Sequence, residues 1–232
     1  MRNAARPKTL SSEQTKLNIG KELSEFFSSF RVKVDSRIAV MEKKRASFDE
    51  YQKEKSKIPD GDIRIKIYKN YPKKGELTFT DKIFTTNYRY TESLEKPQWK
   101  IESETKEILG YKCQKATTSF RGRIWTAWYA SDIPVQDGPW KLWGLPGLIL
   151  EANDSDSLYN FAAIGMEQKE ETSIAVIRRQ YVDCSYDEYR KRKDESGRDL
   201  IGIASRETGM TIRNDKGEVV RPREVKFADI EK

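Results

Sequence analysis

The sequence predicts an α+β fold: a curved, mostly antiparallel β-sheet of about seven to nine strands, with flanking helices near both ends. Three observations point there. Between residue 62 and about residue 182, apolar residues recur at every second position in short runs. Clusters of Gly, Pro, Asn and Asp punctuate those runs. Helix-like patterns occur only outside the region, over 37–55 and 185–195. A period of two places successive side chains on opposite faces of a strand, so one face can be buried while the other meets water.

The elements follow in order. Residues 1–16 are polar and read as a loosely held arm. Leu17 to Gly20 alternates like a strand end, and Leu23, Phe26, Phe27 and Phe30 form a short aromatic segment. Asp35 or Ser36 caps a sparse, highly charged helix over 37–55, which Ile58 to Gly61 terminates. Ile63, Ile65 and Ile67 then alternate with Arg64, Lys66 and Tyr68 as a half-buried strand. Pro72 to Gly75 is a turn, Leu77 and Phe79 a strand, Asp81-Lys82 a turn, and 83–90 a further strand.

Glu95 to Pro97 breaks the pattern before Trp99 and Ile101. Strands over 111–118 and 124–130 flank a hairpin loop at Phe120 to Arg123, where Gly122 supplies the unusual backbone angles. A Pro/Gly-rich loop over 132–147 leads into a strand from Leu148 to Ala152. Strands over 158–166 and 173–182 precede the last helix, which Gly197 ends. One β-rich domain over 17–200 and a polar tail over 201–232, with a turn at Asn214 to Gly217, complete the organisation.

Composition narrows the chemistry. The chain has 232 residues, 35% of them charged and 11% aromatic, with a net charge of +7. Histidine is absent. That excludes His-ligated zinc, the Ser-His-Asp triad and a Cys-His pair. Cys113 and Cys184, the two cysteines, can make one disulfide or stay structural thiols; with no histidine to activate it, Cys113 is not read as a nucleophile. Basic and acidic residues are interleaved, so the positive balance reads as solvated helix faces and not as a nucleic-acid surface. No apolar run is long enough to span a membrane.

The five tryptophans, Trp99, Trp125, Trp128, Trp140 and Trp143, lie within 45 consecutive residues. Such a cluster either centres a core short of aliphatics or stacks a ligand. The ligand reading takes in Trp125, Trp128, Tyr129, Trp140 and Trp143, with Arg121 and Arg123 as an anion fork beside Gly122. The bland reading of the two arginines is pairing with nearby acids. Asn153 to Ser157 places carboxylates two apart but lacks the glycine and distant glutamate of a calcium loop. No metal and no cofactor are expected. Gly144-Leu145-Pro146-Gly147-Leu148-Ile149 reads as structural, with Pro146-Gly147 suited to a type II turn. No Asp or Glu pair is marked for catalysis by its spacing, so no catalytic residue is assigned.

Several segments resemble one family: Leu17 to Lys21, Phe27 to Ser29, Gly110 to Ala116, Phe120 to Arg123, Ala127 to Tyr129, and above all Gly144 to Ile149. On these the chain is similar to the GLPGLI family, exported proteins of Bacteroidetes with no assigned activity, over about residues 17 to 195. The resemblance implies a periplasmic or secreted setting, although the chain opens at Met1 without a signal peptide or the family's first strand. The expectation is a start at an internal methionine or a trimmed chain. An oxidising setting would favour the Cys113–Cys184 bridge.

The reading that results is a non-catalytic binding or accessory protein of the cell envelope. Its partner would be an apolar small molecule or another envelope protein, held at the Trp-rich loop. The alternative is an Asp/Glu-dependent hydrolase acting at the same loop.

Overall fold

A computed structural model describes residues 12–57, 64–169, 173–176, 180–199, 202–203, 211 and 230–231. Most of the expected arm and tail, the turns at 58–61 and 214–217, and Ile63 lie outside those residues. So does part of the expected strand over 173–182.

The chain is β-rich and mostly antiparallel, as expected, but its strands form two sheets and not one curved sheet. The first holds β1 (Thr15–Ile19), β2 (Ser24–Ser28), β3 (Lys66–Lys69), β4 (Glu76–Ile83), β5 (Thr86–Ser93) and β11 (Val182–Asp183), in that order. The second holds β6 (Lys100–Ile108), β7 (Tyr111–Phe120), β8 (Arg123–Ala130), β9 (Leu148–Asp154) and β10 (Asn160–Ala162), neighbours in sequence order. Every pairing is antiparallel except β11 on β5. Phe26, Ile67, Leu77, Phe79 and Tyr90 of the first sheet meet Ala116, Phe120, Trp125, Ala127, Tyr129, Ile149 and Ala152 of the second in one core. The arrangement is sandwich-like, with inward side chains of both sheets interleaved.

The helices do not flank both ends. α1 (Ser29–Lys43) and α2 (Phe48–Lys55) are inserted between β2 and β3, and α3 (Tyr186–Arg198) packs against β4 and β5. α1 and α3 therefore associate with the first sheet, and α2 packs against α1. The single helix expected over 37–55 starts earlier and breaks at Arg45, whose φ is +51°. Asp35 and Ser36 lie inside α1, which begins at Ser29. α3 starts where expected, because Ser185 and Glu188 form a capping box, but it runs through a buried Gly197 to Arg198.

Two-residue turns set the hairpins. Leu109 and Gly110, and likewise Arg121 and Gly122, have positive φ, which matches the right-handed twist of the strands they join. The turn expected at Asp81-Lys82 falls instead at Phe84-Thr85, and β4 continues through Asp81. Asp81 stays in the strand because its carboxylate accepts from the Tyr189 hydroxyl of α3 at 2.7 Å. The strand expected over 158–166 shortens to β10, and residues 173–176 carry no strand.

Candidate functional site

The loop over 131–147, between β8 and β9, folds back onto both sheets. Leu148 and Ile149 donate their amides to Ile133 and Asp137, and Gly144 donates to Gln136. Gly147 donates to the Leu145 carbonyl at 2.8 Å, a three-residue turn around Pro146 tighter than the expected type II turn. Gly147 is required by space: a Cβ there would lie 2.2 Å from the Ala130 carbonyl oxygen. Leu145 and Ile149 are buried, whereas Leu148 is half-buried and Pro146 exposed. The Gly144 to Ile149 segment thus earns its residues by packing.

Two buried lysines hold this loop. Lys69 on β3 bonds Asp137 and donates to the carbonyl oxygens of Gly138 at 2.6 Å and Leu142 at 3.3 Å. Burial lowers its pKa, and the Asp137 charge works against that shift. Lys141 of the loop reaches Glu92 at 2.6 Å, Glu231 at 2.5 Å and the Tyr90 hydroxyl at 3.2 Å. The rings of Phe79, Tyr90 and Tyr186 surround its ammonium at 5.4, 5.4 and 5.7 Å from their centroids. Burial, then the Glu231 and Glu92 charges, push the Tyr90 hydroxyl pKa far above its ordinary value. Arg121 faces Glu92 at 3.3 Å, Glu95 at 3.4 Å and Glu231 at 3.6 Å. Burial opposes its charge, yet Glu92, Glu231 and Glu95 outweigh that and raise its pKa.

The sequence-predicted residues divide between interior and rim. Trp125 and Trp140 are fully buried with rings 5.4 Å apart, and Tyr129 is buried with its hydroxyl donating to Gln114 at 2.9 Å. Trp128 points to the opposite face of the second sheet, where the Lys106 ammonium lies 4.4 Å from its ring centroid. Trp143 remains at the accessible edge. Its indole N–H donates to the Glu95 carbonyl at 2.9 Å, while Trp99 donates to the Trp143 carbonyl at 2.8 Å. Trp143, Trp99, Arg121, Glu92 and Glu95 thus form one rim. Arg123 is 2.6 Å from Asp154, whose other oxygen accepts the amides of Leu158 and Tyr159. This explains the acidic spacing of 153–157 without an ion, and among the described residues no group of three or more Cys, Asp or Glu could hold one.

Cys113 and Cys184 are free thiols, which corrects the expected bridge. Cys113 sits with Ala130 and Leu150 on the outward face of the second sheet, and Cys184 lies against the Arg89 carbonyl of the first. Burial raises the pKa of both. Sequence reasoning missed Lys69, Glu92, Lys141, Tyr189 and Glu231. A lysine in an alternating strand or a polar loop looks solvated, and only the partner brought from another element shows otherwise.

The geometry defines a two-sheet β domain whose connecting loop is pinned by buried ion pairs beside an aromatic and charged rim. Residues 32–190, from α1 into α3, match the family described as "N-glycanase peptide, N-terminal domain". The match takes in more than half of the chain, and the chain belongs to that family. A solved structure of PNGF-II in the P21 space group is 20% identical with a TM-score of 0.51, covering 77% of this chain and 28% of that one. PNGF-II in the C2 space group is 19% identical with a TM-score of 0.45, over 79% and 29%. The first is a likeness of fold, and the chain spans less than a third of its length. No curated protein matches the chain.

The family match overturns the resemblance to the GLPGLI proteins. The residues that carried it, Gly147 against Ala130 above all, answer demands of turn and packing. The reading of a non-catalytic envelope protein falls with it, because the matched family is an N-glycanase domain.

Proposed function

We propose that this chain works as the N-terminal domain of a glycan-cleaving enzyme of the N-glycanase type, with glycoproteins as substrates. The family match over 32–190 carries this reading. The rim supports it in chemical terms. A half-exposed indole such as Trp143 offers a face for a sugar ring, and the adjacent carboxylates and guanidinium can exchange hydrogen bonds with hydroxyls. Glu92 is held through one carboxylate oxygen by Lys141 and through the other by Arg121, which fixes its position at the rim.

The test is release of glycan from an N-linked glycoprotein, read by mass spectrometry of the deglycosylated peptide. Joined to the rest of such an enzyme, this domain should support release, and Trp143→Ala within it should raise KM about tenfold while sparing the fold. Release at an unchanged KM by an enzyme from which this domain has been removed would overturn the reading.

A further inference from the structure

The cations beside the loop also hold a stretch of main chain far away in sequence. Arg123 of β8 donates through Nε to the Ile230 carbonyl at 2.8 Å. Arg190 of α3 donates to the Glu231 carbonyl at 3.0 Å. The Glu231 carboxylate lies 2.5 Å from Lys141 and 3.6 Å from Arg121. The Ile230 side chain packs against the main core.

We infer that the site bounded by Arg123 of β8, Lys141 of the 131–147 loop and Arg190 of α3 is a receptor for an acidic peptide, an apolar residue followed by glutamate, which the chain occupies with its own Ile230-Glu231. Two features separate a receptor from ordinary packing. Consecutive carbonyls are read by two arginines from different elements, which is recognition of main chain independent of side-chain identity. Selectivity then comes from one apolar contact and one carboxylate. Charge supplies the drive: Lys141 and Arg121 both lean on the half-buried Glu92, Arg121 also faces the exposed Glu95, and Glu231 provides the buried carboxylate of the group. With Glu231 gone, the two cations are left with a half-buried and an exposed acid, so an incoming carboxylate is favoured. Ile230 and Glu231, being part of the same chain, compete with a free peptide for these groups.

The test uses the full chain and a fluorescent peptide Ala-Asp-Ile-Glu-Lys, the sequence of residues 228–232, with anisotropy as readout. Replacing Ile230 and Glu231 together by alanine should tighten peptide binding about tenfold relative to the unsubstituted chain. The same peptide with Gln for Glu should bind that variant about tenfold more weakly. Equal binding by both chains, no binding by the folded variant, or no preference for Glu over Gln overturns the inference. Should circular dichroism show the double variant unfolded, Glu231→Gln serves in its place, with a gain of about threefold expected and no gain counting against. The readout is independent of glycan release, so either idea can fail alone.

Discussion

The two sheets treat water differently. In the second, β8 alternates between buried and more exposed positions from Arg123 through Trp128. In the first, all of β2 is buried, as are Ile67, Tyr68 and Lys69 in succession on β3. A sheet with one solvated face has to alternate, whereas strands covered on both faces need not. Polar residues in the covered strands must then find partners. Glu25 pairs with Lys66, Lys69 with the loop, and Thr78 bonds the Tyr71 carbonyl. Burial in the second sheet is read from apolar spacing; in the first it is read from pairing.

That contrast can be tested from its largest consequence downwards. Trp125 and Trp128 lie three residues apart on β8 but on opposite faces. Trp125→Ala should cost about 3–5 kcal/mol in denaturant unfolding, and Trp128→Ala about 1 kcal/mol. Similar costs would erase the distinction between the faces. For the first sheet, Lys69→Met should cost about 3 kcal/mol, because Asp137 is left in a poorly solvated site without its cation. Adding Asp137→Asn should recover a good part of that loss; no recovery would mean that Lys69 acts through its carbonyl contacts alone.

A smaller effect concerns pH. The folded pKa of Tyr90 lies above its unfolded value, so the folded chain keeps a proton that the unfolded chain releases. Its contribution is fully present below about pH 10 and declines as pH rises beyond it. Tyr90→Phe should therefore lose less stability than the unsubstituted chain between about pH 9.5 and 11, measured by urea midpoints. The smallest effect is kinetic. Cys184, half-buried in the first sheet, should alkylate with iodoacetamide before Cys113, which is fully buried, as peptide mapping would show. Equal rates would place both thiols in reach of solvent.

What the residues revealed beforehand follows the same division. The hairpin of β7 and β8 was legible because Arg121-Gly122 is local turn chemistry between alternating runs. The turn at Phe84-Thr85 was not, since neither residue announces one. Asp81 looked like a turn residue until Tyr189, arriving from α3, gave its carboxylate a donor. The separation into two sheets was equally hidden, because period two marks a strand without naming its neighbours. At the site, Trp143 and Arg121 were visible as types. Lys141, Glu92 and Glu231 became a group only when three distant stretches converged.

One irregularity in the second sheet carries a further consequence. Trp128 faces Glu151, but Tyr129 faces Ile149, so Leu150 is an additional residue on β9. That extra step lets Ile149 enter the shared interior while Leu150 fills the outer cluster with Cys113. Deleting one residue here would rotate everything between Gly147 and the step by half a turn, presenting an aliphatic to solvent and a glycine to the wrong carbonyl. The strand should therefore tolerate changes of identity far better than changes of length.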